Sequence, residues 1–379
     1  MEKKKICFIV TVEFAVTAFL LSHFRQLAKQ FDLSLIVSTD DHGFLQDQGY
    51  EIKIFPVDIS RRINLLKDLS ALIKIHNILC EQHFDAVHTM TPKAGLLGML
   101  AAFFASVPIR VHTFTGQTWT SKSGLSRMFL KRMDWLIAKL AVQVIIDSPS
   151  QANFLIAEMV VSPQKINVFG FGSVAGVDLN RFIPSVEFRR SIRADLSIPE
   201  SYLVFIYLGR LSRDKGLVDL VNAFLLMDSI DATLLIVGPD EDGLKAVIEQ
   251  ISANSRGSIK FVSLTSIPEA YLAASDVLCL PSYREGFGSV IIEAASVGLP
   301  AVASNIYGVT DAILNNETGL LHEPRDVSGI KFCLESFMKD RRLLEQYGQA
   351  ARLRAITCFD AKIITNAWMN FYIAQFKSQ

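Results

Sequence analysis

Short, almost uncharged apolar runs alternate along this chain with longer amphipathic stretches, and that alternation restricts the fold more than any other feature. In the first half the runs are Lys5–Val12, Leu33–Ser38, Glu51–Phe55, Ala86–His88, Arg110–Thr113, Val142–Ile146 and Ile166–Phe169. In the second half they are Leu203–Leu208, Ala232–Val237, Ile259–Val262, Val277–Leu280 and Ala301–Ala303. Runs this apolar suit strands covered on both faces. Helix-period stretches between them act as crossovers, so the strands pair in parallel and the class is α/β, doubly wound. A chain of 379 residues exceeds what one core usually holds. The turn-rich segment from Gly170 to Pro184 supplies a boundary. The expected division is an N-terminal domain over 1–178 and a second over 179–359. A terminal helix over about 360–379 crosses back to the first. Two such sheets present ligands at the carboxyl ends of their strands, in a cleft between the domains.

Composition removes several functions. Lys plus Arg and Asp plus Glu both number 38, so no basic excess marks a general nucleic-acid binder. Cys7, Cys80, Cys279, Cys333 and Cys358 are scattered without metal-ligand spacing and read as reduced thiols in a reducing compartment. Lys3, Lys4 and Lys5 before an apolar run imitate a signal peptide, but Glu13 interrupts the run, and a first buried strand is the better reading. The longest uncharged stretch, Ala94 to Ile109, is short for a membrane span and contains Pro108. The first strand lacks the G-x-G-x-x-G turn of nicotinamide dehydrogenases.

Two segments of the second half carry chemistry. Beyond the strand ending at Leu280 comes Pro281-Ser282-Tyr283-Arg284-Glu285-Gly286-Phe287-Gly288-Ser289-Val290-Ile291-Ile292-Glu293. A helix opening near Gly288 offers free N–H groups to an anion, and Gly286 and Gly288 allow close approach to the backbone. A carboxylate within that helix, Glu293, suits a ribose diol, since it can accept two hydroxyls. Gly-x-Gly alone is equally an ordinary strand-to-helix turn. Beyond Leu208 comes Gly209-Arg210-Leu211-Ser212-Arg213-Asp214-Lys215-Gly216, whose Arg210 and Lys215 can hold a diphosphate. The alternative is a solvated loop with an Arg213–Asp214 pair. Equivalent positions at two strand ends let both segments converge on one ligand.

These motifs resemble family 4 glycosyltransferases of the GT-B fold. Glu285 and Glu293 with Gly286-Phe287-Gly288 match the Glu-x7-Glu signature, and Gly209-Arg210 with Lys215-Gly216 matches the phosphate-binding loop. Gly176-Val177-Asp178, Gly298-Leu299-Pro300 and Asn315 to Leu321 match as well, so the resemblance spans nearly the whole chain. It implies two Rossmann-like domains facing a cleft. It also implies a donor site of Arg210, Lys215, Glu285, Gly286, Phe287, Gly288, Ser289, Val290 and Glu293. The implied reaction is retaining hexosyl transfer from a nucleotide-diphosphate sugar, UDP-linked, with no metal or other cofactor. The segments His88 to Gly95 and His112 to Trp119 resemble a bacterial branch that builds capsule, O-antigen and related glycans on polyprenyl-diphosphate carriers. There His112 is the implied donor-sugar contact and joins Arg210, Lys215 and Glu285 as catalytic; His88, Lys93, Gln117 and Trp119 are acceptor-side candidates. One departure stands out: many members carry Gly-Gly after the first strand, whereas this chain has Thr11-Val12-Glu13-Phe14.

The stretch Lys122 to Lys139 holds Lys122, Arg127, Lys131, Arg132 and Lys139 interleaved with aromatics. It reads either as a helix lying on an anionic bilayer or as an ordinary solvated face. The first reading puts a cytoplasmic protein at the inner face of the cytoplasmic membrane, near a lipid-linked acceptor. Two rival functions keep the same fold: a non-catalytic sugar-nucleotide-binding subunit and a nucleotide-sugar epimerase.

Overall fold

A computed structural model describes residues 3–41, 43–60, 64–253 and 258–378. The chain divides into two compact units, Met1–Ala175 with Ala361–Gln379, and Gly176–Asp360. Each is a parallel sheet between helical layers. The N-terminal unit contains β1 (Lys4–Val12), β2 (Phe31–Ser38), β3 (Lys53–Pro56), β4 (Ala86–Met90), β5 (Ile109–Phe114), β6 (Gln143–Ile146) and β7 (Ile166–Asn167) in the order β3-β2-β1-β4-β5-β6-β7. The C-terminal unit contains β8 (Leu203–Leu208), β9 (Ala232–Val237), β10 (Ser258–Val262), β11 (Val277–Leu280), β12 (Ala301–Ser304) and β13 (Gly319–His322) in the order β10-β9-β8-β11-β12-β13. All the pairings are parallel.

The period-2 pattern sends alternate residues to opposite cores. In β1, Ile6, Phe8 and Val10 enter one apolar cluster while Cys7 and Ile9 enter the other. In β8, Val204 and Ile206 face one cluster; Leu203, Phe205 and Tyr207 face its opposite. Burial on both faces explains why these strands carry so few charges.

Two helices, Glu13–Phe19 and Leu21–Gln30, lie between β1 and β2, parted where buried Leu20 opens to φ −118°. No loop precedes them: β1 runs to Val12 and the helix begins at Glu13. An unexpected strand, β13, closes one edge of the second sheet; its four residues offered too short a pattern to separate from the flanking turn. No helix among the described residues is long and apolar enough to cross a membrane.

The helix Ala361–Lys377 packs on the N-terminal unit through Ile364, Trp368, Phe371 and Tyr372. Trp368 lies between two buried histidines, with ring centroids 5.3 Å from His23 and 4.9 Å from His88, and its indole N–H donates to the Val174 carbonyl at 2.9 Å. His23 bonds Val174 and Thr365, both at 2.8 Å. Burial lowers its pKa from 6.5 to about 4, against the pull of the Val174 carbonyl. An imidazole neutral in the folded state and protonated in the unfolded one makes stability fall as pH drops below 6.5, until the folded site itself titrates near 4. Urea unfolding at pH 7 and pH 5.5 should therefore show a loss of up to about 1.4 kcal/mol per pH unit from His23. That part of the slope should disappear in His23→Gln; an unchanged slope would refute the assignment.

Candidate active site

The order of the C-terminal sheet reverses direction between β8 and β11, and these two strands are neighbours, so the loops leaving their carboxyl ends lie side by side. The β8 loop passes Gly209 and Arg210, makes a turn over Arg213–Lys215, and enters the helix Leu217–Leu226 through left-handed Gly216. The β11 loop runs from Pro281 to Gly288 and enters the helix Ser289–Val297. The two loops meet. Lys215 Nζ lies 2.6 Å from Glu285 Oε1, with side chains 16% and 13% exposed, and the Ser282 hydroxyl donates to the same oxygen at 2.7 Å. Behind this pair, the Tyr283 N–H donates to the Asp214 carbonyl at 2.9 Å, and Arg284 donates to Asp214 Oδ2 at 2.8 Å. Burial opposes the charge of Asp214, yet the Ser212 hydroxyl, Arg284 and Lys215 hold its carboxyl below the usual range.

Glycine permits this approach. A Cβ on Gly216 would stand 2.1 Å from the Pro281 carbonyl oxygen, and one on Gly308 would stand 2.3 Å from that of Gly286. Beneath the ion pair the loops thus pack backbone on backbone. At the helix start, Gly288 adopts φ 79° and supplies no side-chain cap. The Ser289 and Val290 N–H groups precede the first intrahelical bond, from Ile291 to Gly288, and point a positive helix end outward. Glu293, in the next turn, has no hydrogen-bond partner among the described residues. Burial pushes its carboxyl up to about 7; Arg181 pulls against this and Glu269 reinforces it. A half-buried carboxyl left unbonded can receive the hydroxyls of a ligand.

Other expected site residues lie differently. Arg210 does not join Lys215; it is 44% exposed and pairs with Glu241 at 2.5 Å. Phe287 is buried, with its ring 5.3 Å from Phe359, so only its backbone can meet a ligand. Asp214 bonds Ser212 and Arg284, replacing the Arg213 pairing considered from sequence.

In the N-terminal unit, His112 lies near the carboxyl end of β5, 1% exposed, with Nδ1 2.7 Å from the Thr89 hydroxyl and its ring against Gly95. Burial lowers its pKa to about 3, so the ring is neutral. Three acceptor-side candidates need correction, because their side chains lie inside the unit. His88 is fully buried and bonded on both nitrogens, to Tyr372 at 2.6 Å and Thr113 at 2.7 Å. Gln117 is buried and accepts from Gln151 at 3.1 Å. Trp119 is buried and donates to Asp134 at 2.7 Å. Lys93 pairs with Asp68 at 2.7 Å.

The basic stretch is a helix, Gly124–Leu140. Two of its cations are engaged inward: Arg127 and Lys131 both bind Glu158 and lie over the Trp119 ring at 5.4 and 5.8 Å. Lys122, Arg132 and Lys139 stay exposed, as do Leu125, Met128, Phe129 and Trp135. Sequence reasoning missed Asp214, Arg284 and the glycine at 308. A glycine shortly after a strand was the only signal, and it pointed to 308 alone.

Two family models match the chain, Glycosyltransferase Family 4 over residues 16–172 and Glycosyl transferases group 1 over 188–354. It is 31% identical over 324 residues to an Escherichia coli UDP-Gal:alpha-D-GlcNAc-diphosphoundecaprenol alpha-1,3-galactosyltransferase, covering 83% of this chain and 82% of that one. It is 28% identical over 375 residues to the Staphylococcus aureus capsular polysaccharide biosynthesis glycosyltransferase CapM, covering 98% and 97%. Among solved structures, the Anabaena protein HepE, crystallised with UDP and glucose, superposes with a TM-score of 0.81 at 20% identity, covering 99% and 100%.

Gly216→Ala should separate the two loops, since its Cβ meets a backbone carbonyl and its φ of 65° is left-handed. A loss of about 1–3 kcal/mol of unfolding free energy is expected, together with at least tenfold weaker nucleoside diphosphate binding by calorimetry. Retention of wild-type affinity would mean that the close approach does not shape the site.

Proposed function

The chain belongs to glycosyltransferase family 4, and from that we propose that it moves a hexosyl or N-acetylhexosaminyl unit from a UDP sugar to a lipid-linked saccharide, with retention of configuration. The contact between Lys215 and Glu285 beside an uncapped helix start is the observation that carries this reading. It puts a cation, backbone donors and a carboxylate on one small patch, the set that a diphosphate joined to a sugar requires. The substrates in the name of the E. coli relative supply the donor and acceptor classes.

Cleavage of the anomeric bond builds positive charge on the sugar and negative charge on the departing diphosphate. Lys215 and the N–H groups of Ser289 and Val290 stabilise the leaving group, the dominant electrostatic contribution in such a site. Arg210 joins them by exchanging Glu241 for a phosphate, a small cost because an exposed pair contributes little. Glu285 orients the donor sugar and Glu293 takes the ribose hydroxyls. With the Thr89 hydroxyl donating to Nδ1, neutral His112 offers Nε2–H to a sugar hydroxyl. The acceptor attacks from the leaving-group face, and a diphosphate oxygen takes its proton. The cations supply the charge that a metal provides elsewhere.

Two measurements test this. With a UDP-sugar panel and polyprenyl-diphosphate-linked acceptors, product is detected by mass spectrometry. Lys215→Ala should lower turnover at least tenfold, about 1.4 kcal/mol of barrier, and Glu293→Gln should raise the donor KM. Full turnover by folded Lys215→Ala would exclude the leaving-group role. We also assign the helix Gly124–Leu140 to the inner face of the cytoplasmic membrane, through Lys122, Arg132 and Lys139 and the exposed Leu125 and Phe129. Vesicles containing phosphatidylglycerol should sediment the protein at low salt, and Leu125→Glu with Phe129→Glu should abolish this; equal recovery with neutral vesicles would refute the electrostatic part.

A further inference from the structure

The turn that leaves β13 is built against local preference. The Asp326 N–H donates to the Glu323 carbonyl at 3.2 Å, Pro324 holds the second position, and Arg325 holds the third at φ 66°. Proline cannot take a positive φ, so the turn is type II, whose third position calls for glycine. A long cationic side chain stands there instead, at a cost in backbone strain. Asp326 goes on to cap the helix Val327–Lys339, its carboxylate receiving the Gly329 N–H at 2.9 Å. Neither the turn nor the cap draws on the Arg325 side chain.

That side chain reaches the β11 loop. The guanidinium carbon lies 4.8 Å from the centroid of the Tyr283 ring, two residues before Glu285 in the chain. The same ring abuts Gly216, where a Cβ would stand 3.3 Å from Tyr283 Cε1. Its hydroxyl donates to Asp219 Oδ2 at 2.6 Å. Asp219 sits in the first turn of the helix Leu217–Leu226, four residues after Lys215. Burial and the Asp219 carboxylate push the phenol up to about 12, with Arg325 pulling against them, so the hydroxyl keeps its proton and donates. Tyr283 therefore joins three strand ends: β11 through the chain, β8 through Gly216 and Asp219, and β13 through Arg325. Lys215 and Glu285 belong to the first two.

We propose that Arg325 is a positioning residue of the donor site: its guanidinium clamps the Tyr283 ring, and Tyr283 with Asp219 holds the β11 loop on the β8 loop, so that Glu285 and Lys215 meet the nucleotide sugar in register. A cation over the ring and an anchored hydroxyl at its far end leave the ring little freedom. Arg325 acts through Tyr283 and not on the substrate. Strain of this kind persists only where the surrounding structure over-determines it, and the contact with Tyr283 is what this structure shows around Arg325. The inference rests on the donor site proposed above.

Arg325→Gly in the full chain provides the test, because it removes the guanidinium and relieves the turn at once. If the side chain serves the turn alone, the variant is as stable as wild type and its site is unaltered. With the clamp, the melting temperature holds or rises while the site loosens. Amide hydrogen exchange over residues 281–288 should quicken about threefold or more, with exchange in the rest of the chain unchanged. UDP should bind about tenfold more weakly by calorimetry. Tyr283→Phe, which keeps the ring and loses the bond to Asp219, should act in the same direction, and Arg325→Lys, which keeps a cation, should restore part of the affinity. Unchanged exchange over 281–288 in folded Arg325→Gly overturns the clamp, and so does a general loss of stability with exchange raised throughout. Faster exchange there with full UDP affinity overturns the positioning role. A wild type that fails to bind UDP refutes the donor reading instead, and faster exchange over 281–288 in the variants then still supports the clamp on the loop.

Discussion

Lys215 and Glu285 are separated by 70 residues in sequence and 2.6 Å in space, and the arrangement of the C-terminal unit turns on what makes that contact possible. Parallel pairing puts every strand's carboxyl end on one side of the sheet, and the β8–β11 adjacency puts two particular loops beside each other there. Glycine at 216 then lets the loops close to backbone contact, and Asp214 with Arg284 locks the closure from behind. The ion pair is thus the visible end of a connection made mostly of main chain. Its charges are largely shielded, which makes each worth more to a bound anion than a solvated charge would be.

Apolar patterning made most of the sheet strands legible, because strands buried on both faces exclude charge, and that exclusion survives in the sequence. The edges were less legible. β13 has four residues, two of them only half-buried, and an edge strand needs less apolar character. For the site, sequence showed which strand ends carry polar loops but not which way each side chain turns. Arg210 and Lys215 look alike as cations near a strand end, yet one pairs with Glu241 in solvent and the other with Glu285 largely out of it. Phe287, His88 and Trp119 lie within motifs that suggest contact with a ligand, but their side chains belong to the core. A motif records that a residue is needed there; packing and catalysis are both sufficient reasons.

The N-terminal unit shows how a core can hold two imidazoles when each ring nitrogen is answered. His23 and His88 lie among Phe8, Trp368 and Tyr372, and each ring nitrogen of both finds an oxygen. Such bonds are directional, so they specify one placement of the terminal helix where apolar contact alone would accept several. Trp119 has a similar part lower in the same unit, where its indole N–H, Asp134 and the stacked cations Arg127 and Lys131 fix the loop that follows β5.

The path of the chain bears on how it matures. The N-terminal unit is left after Ala175 and entered again only at Ala361. Until the residues beyond Asp360 emerge from the ribosome, the groove awaiting Trp368 and Tyr372 stays open, with its aromatic and imidazole groups bare to water. The unit begun second can finish first, and the one begun first waits, vulnerable to chaperone capture, for the last helix to arrive.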